Sequence, residues 1–236
     1  MGKRIIQQRR GRGTRTYLVR RKAYRYRIGY VQGEGKTSVL KLINSPGHTA
    51  PLAKIMLNGK IFFIPAFKGM IEGMNIEVGG SENKEGNILQ LKNIETGKNV
   101  YNVELMPGDS GKVIRSAGEF ALVTKKLPGK VALLLPSKKE ILVDENCRAT
   151  IGTIAGHGRL EKPIMKAGKK HYMMKARNKL WPRTSAVKMN AVDHPFGSGR
   201  GKNISHGGKG KIPKRNAPPG AKVGTLRPRR TGRKKR

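Results

Sequence analysis

Residues 52–64 read LAKIMLNGKIFFI and predict a β-hairpin. Asn58 and Gly59 separate two short apolar runs, Leu52–Leu57 and Ile61–Ile64. Asn-Gly is strongly favoured in two-residue hairpin turns, because both central residues of such a turn need a positive φ. A tight turn between two apolar runs therefore indicates two antiparallel strands.

Short apolar runs continue at regular intervals on both sides of this hairpin. Such spacing favours a body of small β-barrels over alternating βαβ units. The other strand candidates are Val39–Ile43, Met74–Val78, Ile88–Leu91, Val100–Leu105, Val113–Ser116, Phe120–Thr124, Val131–Leu135, Ile141–Val143 and Ala149–Ile154. Helix signals are weak, and Tyr172–Lys179 is the best short candidate.

A polar, glycine-rich stretch interrupts the strand series. Residues 79–86 read GGSENKEG, and we expect a domain boundary there. The chain then divides into four parts, which are a basic arm (1–34), a first barrel (35–82), a second barrel (83–175) and a basic tail (176–236).

Charge is distributed very unevenly along the 236 residues. The chain has 51 Lys and Arg against 14 Asp and Glu, for a net charge of +37. Residues 34–145 hold twelve of the acids and fifteen of the bases, so they are nearly neutral, and a charge of +34 lies outside them. A chain so basic needs a polyanionic partner, and nucleic acid is favoured because phosphate contacts release condensed counterions. An anionic membrane surface is the competing partner, but the sequence has neither a signal peptide nor an apolar run near the ~20 residues that a membrane span requires.

The two ends suggest how that partner is bound. Residues 1–33 hold eleven bases and no acid, with arginines interleaved with Tyr17, Tyr24 and Tyr26. Arginine binds phosphate through two parallel hydrogen bonds, and tyrosine can stack on an unpaired base. Residues 201–236 hold thirteen bases and no acid, and they have too little apolar content for a core. We expect this segment to become ordered only when it threads into folded RNA.

Catalytic and metal motifs are poorly supported. The stretch GYVQGEGKT (29–37) has five residues between Gly29 and Gly35 where a phosphate-binding P-loop has four, so a plain turn is favoured. No histidine has the spacing of a zinc ligand. The single cysteine, Cys147, excludes an intramolecular disulfide and a cysteine metal cluster, and we expect it to be a small buried apolar residue.

One histidine has a distinctive setting. His194 follows Asp193 in MNAVDHPFGSGR (189–200), where the acid could orient the imidazole or change its pKa. Gly197 and Gly199 would permit close approach of a partner's backbone. A structured turn that fits RNA is favoured over catalysis, because no nucleophile has a recognisable setting. Trp181 is interpreted equally well as a residue packed under the second barrel or as one stacked on a base.

Six stretches, in order along nearly the whole chain, together resemble one family. The sequence resembles the universal large-subunit ribosomal protein family L-two, in the shorter form found in archaea and eukaryotes. The stretches are QRRGRGTR (8–15), PGDSGKVIRSAG (107–118), CRATIG (147–152), WPR (181–183), MNAVDHPFG (189–197) and NAPPG (216–220). MNAVDHPFG is the most specific of them.

The resemblance implies a fold and a function. It implies an OB-type barrel followed by an SH3-like barrel, and a structural protein that binds large-subunit rRNA. It also implies roles in assembly, in subunit association and in the architecture of the peptidyl transferase centre, where RNA and not protein performs the reaction. The implied partners are the rRNA, other large-subunit proteins and, through an intersubunit bridge, the small subunit. We expect no membrane partner, no homo-oligomer and no cofactor, apart from structural magnesium or monovalent ions of the rRNA, and a cytoplasmic location in the ribosome.

The charge pattern and the resemblance together predict the site residues. Asp193, His194, Gly197 and Gly199 are predicted to support the architecture near the peptidyl transferase centre. The predicted rRNA contacts are Arg9, Arg10, Arg12, Arg15, Arg25, Arg115, Arg148, Lys175, Arg177, Trp181, Arg183, Asn190, Arg200, Lys209, Arg215, Arg229 and Arg230.

The chain departs from the family pattern at three places. His48 stands where the family commonly has Arg, Ser198 replaces a glycine after His194, and residues 136–139 (PSKK) form a more basic turn than usual. Two other classes of protein compete with the ribosomal interpretation. A DNA-packaging protein would need neither two barrels nor the MNAVDHPFG stretch, and a nucleic-acid enzyme using Asp193 and His194 would need a metal cluster or a nucleophile that the sequence does not show.

Overall fold

The protein is mainly β in a computed structural model that describes residues 3–190, 192–194 and 196–197. The described part has ten strands, two α-helices and several single turns of 3₁₀-helix. The strands are β1 (Gly35–Ile43), β2 (Leu52–Leu57), β3 (Lys60–Pro65), β4 (Asn75–Val78), β5 (Ile88–Gln90), β6 (Asn99–Tyr101), β7 (Ala121–Leu127), β8 (Lys130–Leu134), β9 (Glu140–Asp144) and β10 (Arg148–Ile151), and the helices are α1 (Ile6–Gly11) and α2 (Ala167–Ala176).

The chain divides into two compact units. The larger comprises Val19–Arg177 and contains all ten strands of the described residues. The other comprises Met1–Leu18 together with Asn178–Arg236, so segments from the two basic ends belong to one unit.

The predicted hairpin is confirmed. Strands β2 and β3 pair in register from Leu52↔Pro65 to Leu57↔Lys60. Asn58 and Gly59 have φ of 49° and 74°, the left-handed conformations that this turn requires. Alternate residues of both strands are buried, which anchors the hairpin on the apolar core.

The strands form one sheet in the order β3-β2-β1-β4-β5-β10-β6-β7-β8-β9. Every pairing is antiparallel except that of β4 with β5, which consists of the single parallel pair Val78↔Ile88. β10 pairs with both β5 and β6, so the last of the described strands joins two strands that precede it, the first of which begins sixty residues earlier. This topology confirms the mainly β fold class and is consistent with an OB-type barrel followed by an SH3-like barrel.

The glycine-rich stretch at 79–86 lies at the β4–β5 junction. Its ends are fixed by backbone bonds from Gly79 N to Ile88 O (2.8 Å) and from Gly86 N to Ile151 O (2.9 Å). One apolar cluster includes residues from both sides of the stretch, such as Ile55 and Leu133. The division into barrels 35–82 and 83–175 stays a prediction. Cys147 is fully buried in this cluster as expected, and burial raises the pKa of its thiol to about 12.

Two local predictions were wrong in detail. Residues 113–116 form only an isolated bridge, Val103↔Val113, because Ile114 has a φ of 58° that a strand cannot accommodate. The helix predicted at Tyr172–Lys179 begins earlier and ends at Ala176, and α1 was not predicted at all. Neither helix has a buried residue, so the sequence offered no apolar periodicity from which to place them. No helix among the described residues is both long and apolar enough to cross a bilayer.

Candidate nucleic-acid interface

The second half of the N-terminal arm packs against the first strands. Ile28 bridges Phe63 of β3 in a parallel pairing, and Gly29 N donates to Phe63 O at 3.0 Å. Further back, the arm passes so close to Gly47 that a Cβ on this residue would collide with the carbonyl of Ala23. The arm is therefore attached to the sheet through backbone contacts from Ala23 onwards.

A buried ion pair lies next to the end of the arm. The Glu104 carboxylate is fully buried and accepts hydrogen bonds from Arg148 Nη2 (2.9 Å), Nε (3.3 Å) and backbone N (2.9 Å). It also accepts the backbone N–H groups of Gly108 (3.3 Å) and Ser110 (3.0 Å). Arg148 Nη1 donates to Val31 O at 2.9 Å, so this guanidinium ties the arm to β10.

Tyr30 is a further contact between the arm and the β body. Its hydroxyl donates to Asn102 O at 2.8 Å and lies 2.7 Å from Thr150 Oγ1, while the Arg148 guanidinium lies 5.2 Å from its ring centroid. Burial raises the pKa of Tyr30 well above its ordinary value, so the phenol stays protonated. Within the described residues, Tyr101 is a contrast, since its buried hydroxyl has no hydrogen-bond partner.

Arg115 is also engaged inside the protein. Its Nε donates to Asn102 Oδ1 at 3.0 Å, and its Nη2 lies within 3.5 Å of Ile28 O and 3.4 Å of Ser110 O. Burial lowers the pKa of this half-buried guanidinium. Arg115 and Arg148, both predicted to contact RNA, thus spend most of their donors on the arm and on their neighbours; their rRNA contacts stay predictions.

Sequence reasoning missed the partners of these arginines. Glu104 carried a signal, because it is an acid inside the apolar run Val100–Leu105 and such an acid needs a cation if it is buried. Asn102 and Tyr30 carried no comparable signal, since their contacts join residues far apart in the chain.

His48, the departure from the family's arginine, is half-buried near Arg115. Its Nδ1 lies 2.9 Å from Ser45 Oγ. Burial lowers the pKa of this imidazole, and the positive charges of Arg115 and Arg177 lower it further. The lowered pKa favours the neutral form of the His48 ring.

The smaller unit carries most of the remaining predicted contacts. Arg9, Arg12 and Arg15 are exposed in and after α1, whereas Arg10 donates from Nη2 to Asn178 O at 3.1 Å. In the same unit Arg183 and Asn190 are exposed, and Trp181 is partly buried. The larger unit adds Arg25 and Lys175, both exposed, and Arg177, which is partly buried.

The His194 turn is closed by its own hydrogen bonds. Phe196 N donates to His194 Nδ1 at 3.1 Å, Gly197 N donates to His194 O at 2.9 Å, and the His194 and Phe196 rings lie 5.2 Å apart. A Cβ on Gly197 would collide with the carbonyl oxygen of Asn190, so the close approach at this glycine is to the protein's own backbone. Burial lowers the pKa of His194, which favours a neutral ring that can accept the Phe196 N–H.

Asp193 does not bond the imidazole beside it. Its carboxylate pairs with Lys3 Nζ at 3.4 Å, and its backbone N donates to Asn190 O at 2.9 Å. The described residues contain no group of three or more side chains that could hold a metal ion. The other predicted site residues lie outside the described residues: the supporting residue Gly199 and the rRNA contacts Arg200, Lys209, Arg215, Arg229 and Arg230, together with the departure at Ser198.

Comparisons with known proteins bear on this arrangement. Residues 84–219 match the family model described as ribosomal proteins L2, C-terminal domain. The chain is 44% identical over 243 residues to the large ribosomal subunit protein uL2 of Metallosphaera sedula, and the match covers 100% of both chains. It is also 44% identical to uL2 of Hyperthermus butylicus, again with 100% of both chains covered, and 43% identical to that of Methanococcus vannielii, with 99% of this chain and 100% of the relative covered.

The chain belongs to the ribosomal protein L2 family. The resemblance carried by the six sequence stretches is thereby confirmed. As a member of this family, the chain is a structural ribosomal protein rather than an enzyme, and it works in the ribosome in the cytoplasm.

Proposed function

We propose that this chain is a structural constituent of the large ribosomal subunit that binds its rRNA. The observation that carries the proposal is the set of exposed cations at the two ends of a nearly neutral β body. Support for this partner comes from the 44% identity, over the full length of the chain, to proteins named as large ribosomal subunit proteins.

In this proposal the exposed cations bind the RNA, and the β body holds them in place. Exposed residues such as Arg9, Arg12, Arg15 and Arg183 are proposed to contact phosphates; they form no salt bridge within the described residues, so no acid there competes for their charge. The β body supplies a rigid frame, and the tail supplies further cations at Arg200, Lys209, Arg215, Arg229 and Arg230. The boundary at residue 83 separates the two barrels in this proposal, and the family model that begins at residue 84 supports it.

The His194 turn has a supporting role near the peptidyl transferase centre. Its internal bonds make it a rigid element that holds adjacent RNA in place, together with Asp193, Gly197 and Gly199. We propose the roles in assembly, in association of the subunits through an intersubunit bridge, and in contact with other large-subunit proteins on the same family grounds.

The test is binding of the full chain to purified large-subunit rRNA across a salt series, with double-stranded DNA of equal length as competitor. We expect tight binding to rRNA at low salt, a steep fall with rising salt, and weaker binding to DNA. Equal affinity for DNA would favour a DNA-packaging protein, and an affinity independent of salt would contradict the electrostatic basis of the proposal.

The His194 turn has its own test. We expect His194→Ala to impair subunit assembly or to slow peptidyl transfer by whole ribosomes, whereas the free protein shows no turnover with or without the change. Turnover by the RNA-free protein that disappears in this variant would instead establish an enzyme.

A further inference from the structure

A cavity of about 710 Å³ opens where the arm crosses β3. Its volume falls in the range of about 300–1,000 Å³ that is usual for sites binding small molecules. Aromatic rings and cations line it together, and no described lining residue is an acid. This combination differs from a purely electrostatic surface, which needs neither a concave shape nor aromatic walls.

The aromatic wall is held in place by the sheet. The Tyr26 ring lies 5.0 Å from the ring of Phe63 in β3, tilted by 56°. Tyr24, two residues earlier in the arm, has 57% of its surface exposed. Because Tyr26 is already fixed against the strand, it loses little conformational entropy when a planar ligand stacks on it.

The cations around this wall form no salt bridge among the described residues. Arg25, Arg27, Lys112 and Arg115 line the cavity, and none of them is in a salt bridge of the described residues. The guanidinium of Arg25 lies 5.6 Å from the Tyr26 ring centroid. An anion that enters the cavity would pair with cations that form no salt bridge of their own, and the donors of Arg25, Arg27 and Lys112 are the ones available to it.

His48 adds a polar group without charge. Its Nδ1 is occupied by Ser45 Oγ, which leaves Nε2 as the ring nitrogen able to face a ligand in the cavity. A neutral imidazole can hydrogen-bond to the edge of a base.

We propose that this cavity receives a single unpaired nucleotide of the rRNA, a proposal that rests on the RNA-binding function given above. The base stacks on the tyrosine rings of the arm, and the flanking phosphates face Arg27 and Lys112. A paired base cannot enter, because its neighbours in the helix cover both of its faces. A phosphate alone would use the cations and leave the aromatic wall unused.

The test compares two RNA hairpins that are identical except for one bulged uridine, each bound by the full chain. Stacking of one base on an aromatic side chain predicts roughly tenfold tighter binding of the bulged hairpin. With 4-thiouridine at the bulge, ultraviolet irradiation should crosslink the RNA to the arm peptide that contains Tyr24 and Tyr26.

Tyrosine variants separate stacking from charge. We expect Tyr26→Leu and Tyr24→Ala to remove most of the preference for the bulge and to leave binding of the paired hairpin unchanged, while Tyr26→Phe keeps the preference. Tyr172→Ala is the matched control, because this tyrosine is exposed on α2 outside the cavity. If Tyr26→Leu fails to fold, the Tyr24→Ala variant alone tests the stacking, because the Tyr24 ring is largely exposed and its loss should not affect folding.

The outcomes distinguish failure of the proposed nucleotide site from failure of the proposed rRNA binding. Equal affinity for the two hairpins, with a steep salt dependence retained, overturns the nucleotide site and leaves rRNA binding intact. A bulge preference that survives both tyrosine variants also overturns it. Absence of binding to both hairpins and to large-subunit rRNA at low salt overturns the proposed function itself.

Discussion

The arginines of the β body and those of the N-terminal end carry the same charge and make different contacts. Arg148, at the start of β10, bonds Glu104 and Val31 and has a side chain only 16% exposed. Arg9 and Arg12, in the smaller unit, are exposed and form no salt bridge within the described residues. A count of arginines therefore predicts the total attraction to RNA, but the neighbours of each arginine decide whether it is available to a phosphate.

The difference follows from where the acids lie. Glu104 is buried with Arg148 beside it, and a buried carboxylate is tolerated only when it is paired and fully hydrogen-bonded. No acid precedes Glu34, so the arginines at the start of the chain have no nearby carboxylate in the sequence.

The largest expected effect comes from breaking the buried pair. Glu104→Ala leaves the Arg148 charge without its partner and removes the acceptor of Gly108 and Ser110 N–H groups. We expect the free energy of unfolding to fall by about 3–5 kcal/mol, measured by urea denaturation.

A surface pair provides the matched control. Glu95 pairs with Lys98 at 3.8 Å, and its side chain is 64% exposed. Because water screens such a pair, Glu95→Ala should cost less than about 1 kcal/mol. Similar losses of unfolding free energy in Glu104→Ala and Glu95→Ala would contradict the distinction between the buried and the exposed ion pair.

The second prediction concerns the exposed arginines. Replacing Arg9, Arg12 and Arg15 together by Gln should make the plot of log affinity for rRNA against log salt concentration shallower by about 2–3, since each phosphate contact contributes about 0.7–0.9. The double variant Glu104→Gln with Arg148→Gln, which removes both charges of the buried pair, should leave this slope unchanged. A slope that changes by about 1 in the double variant would show that Arg148 contacts a phosphate.

A third prediction separates two buried tyrosines. Tyr30→Phe removes the hydroxyl that bonds Asn102 O and Thr150 Oγ1, and we expect a loss of about 1–3 kcal/mol in the free energy of unfolding. Tyr101→Phe removes a hydroxyl without a partner in the described structure and should be neutral or stabilising. Thermal unfolding of the two variants measures the difference. A greater loss of stability in Tyr101→Phe than in Tyr30→Phe would argue against the role given to the Tyr30 hydroxyl.

The smallest expected effect is a pH dependence from His48. Because its pKa is lower in the folded protein, the unfolded chain binds more protons as the pH falls below about 6.5. Stability should therefore decrease on acidification from about pH 7.5 to about pH 5, with no further loss from this group once the pH is below its folded pKa.

His48→Asn should flatten that curve in part. His194 also has a lowered pKa and contributes with the same sign, so some dependence remains. Urea denaturation at several pH values measures the difference, and a curve that steepens in the variant would contradict the burial of a neutral His48.

Much of the fold could be predicted from local sequence. Asn58-Gly59 determines its hairpin through backbone conformation alone, and the apolar runs located most of the strands to within a few residues. The prediction failed at Ile114, where a β-branched residue adopts a positive φ, and at α2, whose residues are all at least partly exposed. At Ile114 a tertiary contact, the bond from Asn102 N to Ile114 O at 2.8 Å, helps to hold a backbone conformation that local preference disfavours. At α2 no apolar face marks the helix in the sequence.

The candidate interface was less accessible to sequence reasoning. Charge predicted which ends of the chain face a polyanion, because charge adds along the sequence. It could not show that Arg115 donates to Asn102 or that Arg148 reaches Val31, which lies 117 positions away. Contacts of that range depend on which strands become neighbours, and no local pattern records them.

The position of β10 between β5 and β6 affects the order in which the protein can form during its own synthesis. All four strands of the first series have left the translating ribosome once residue 78 has emerged, so their ladders can close early. β5 lacks its antiparallel neighbour, and β6 lacks one of its two neighbours, until residues 148–151 are made, because β10 lies between them. The arm can bond β3 early through Gly29 N and Phe63 O, but its bond from Arg148 Nη1 to Val31 O has to wait for residue 148. Domains generally fold as their residues are made, so the first four strands would be paired while some seventy further residues (148 against 78) are added, before Arg148 completes the attachment of the arm.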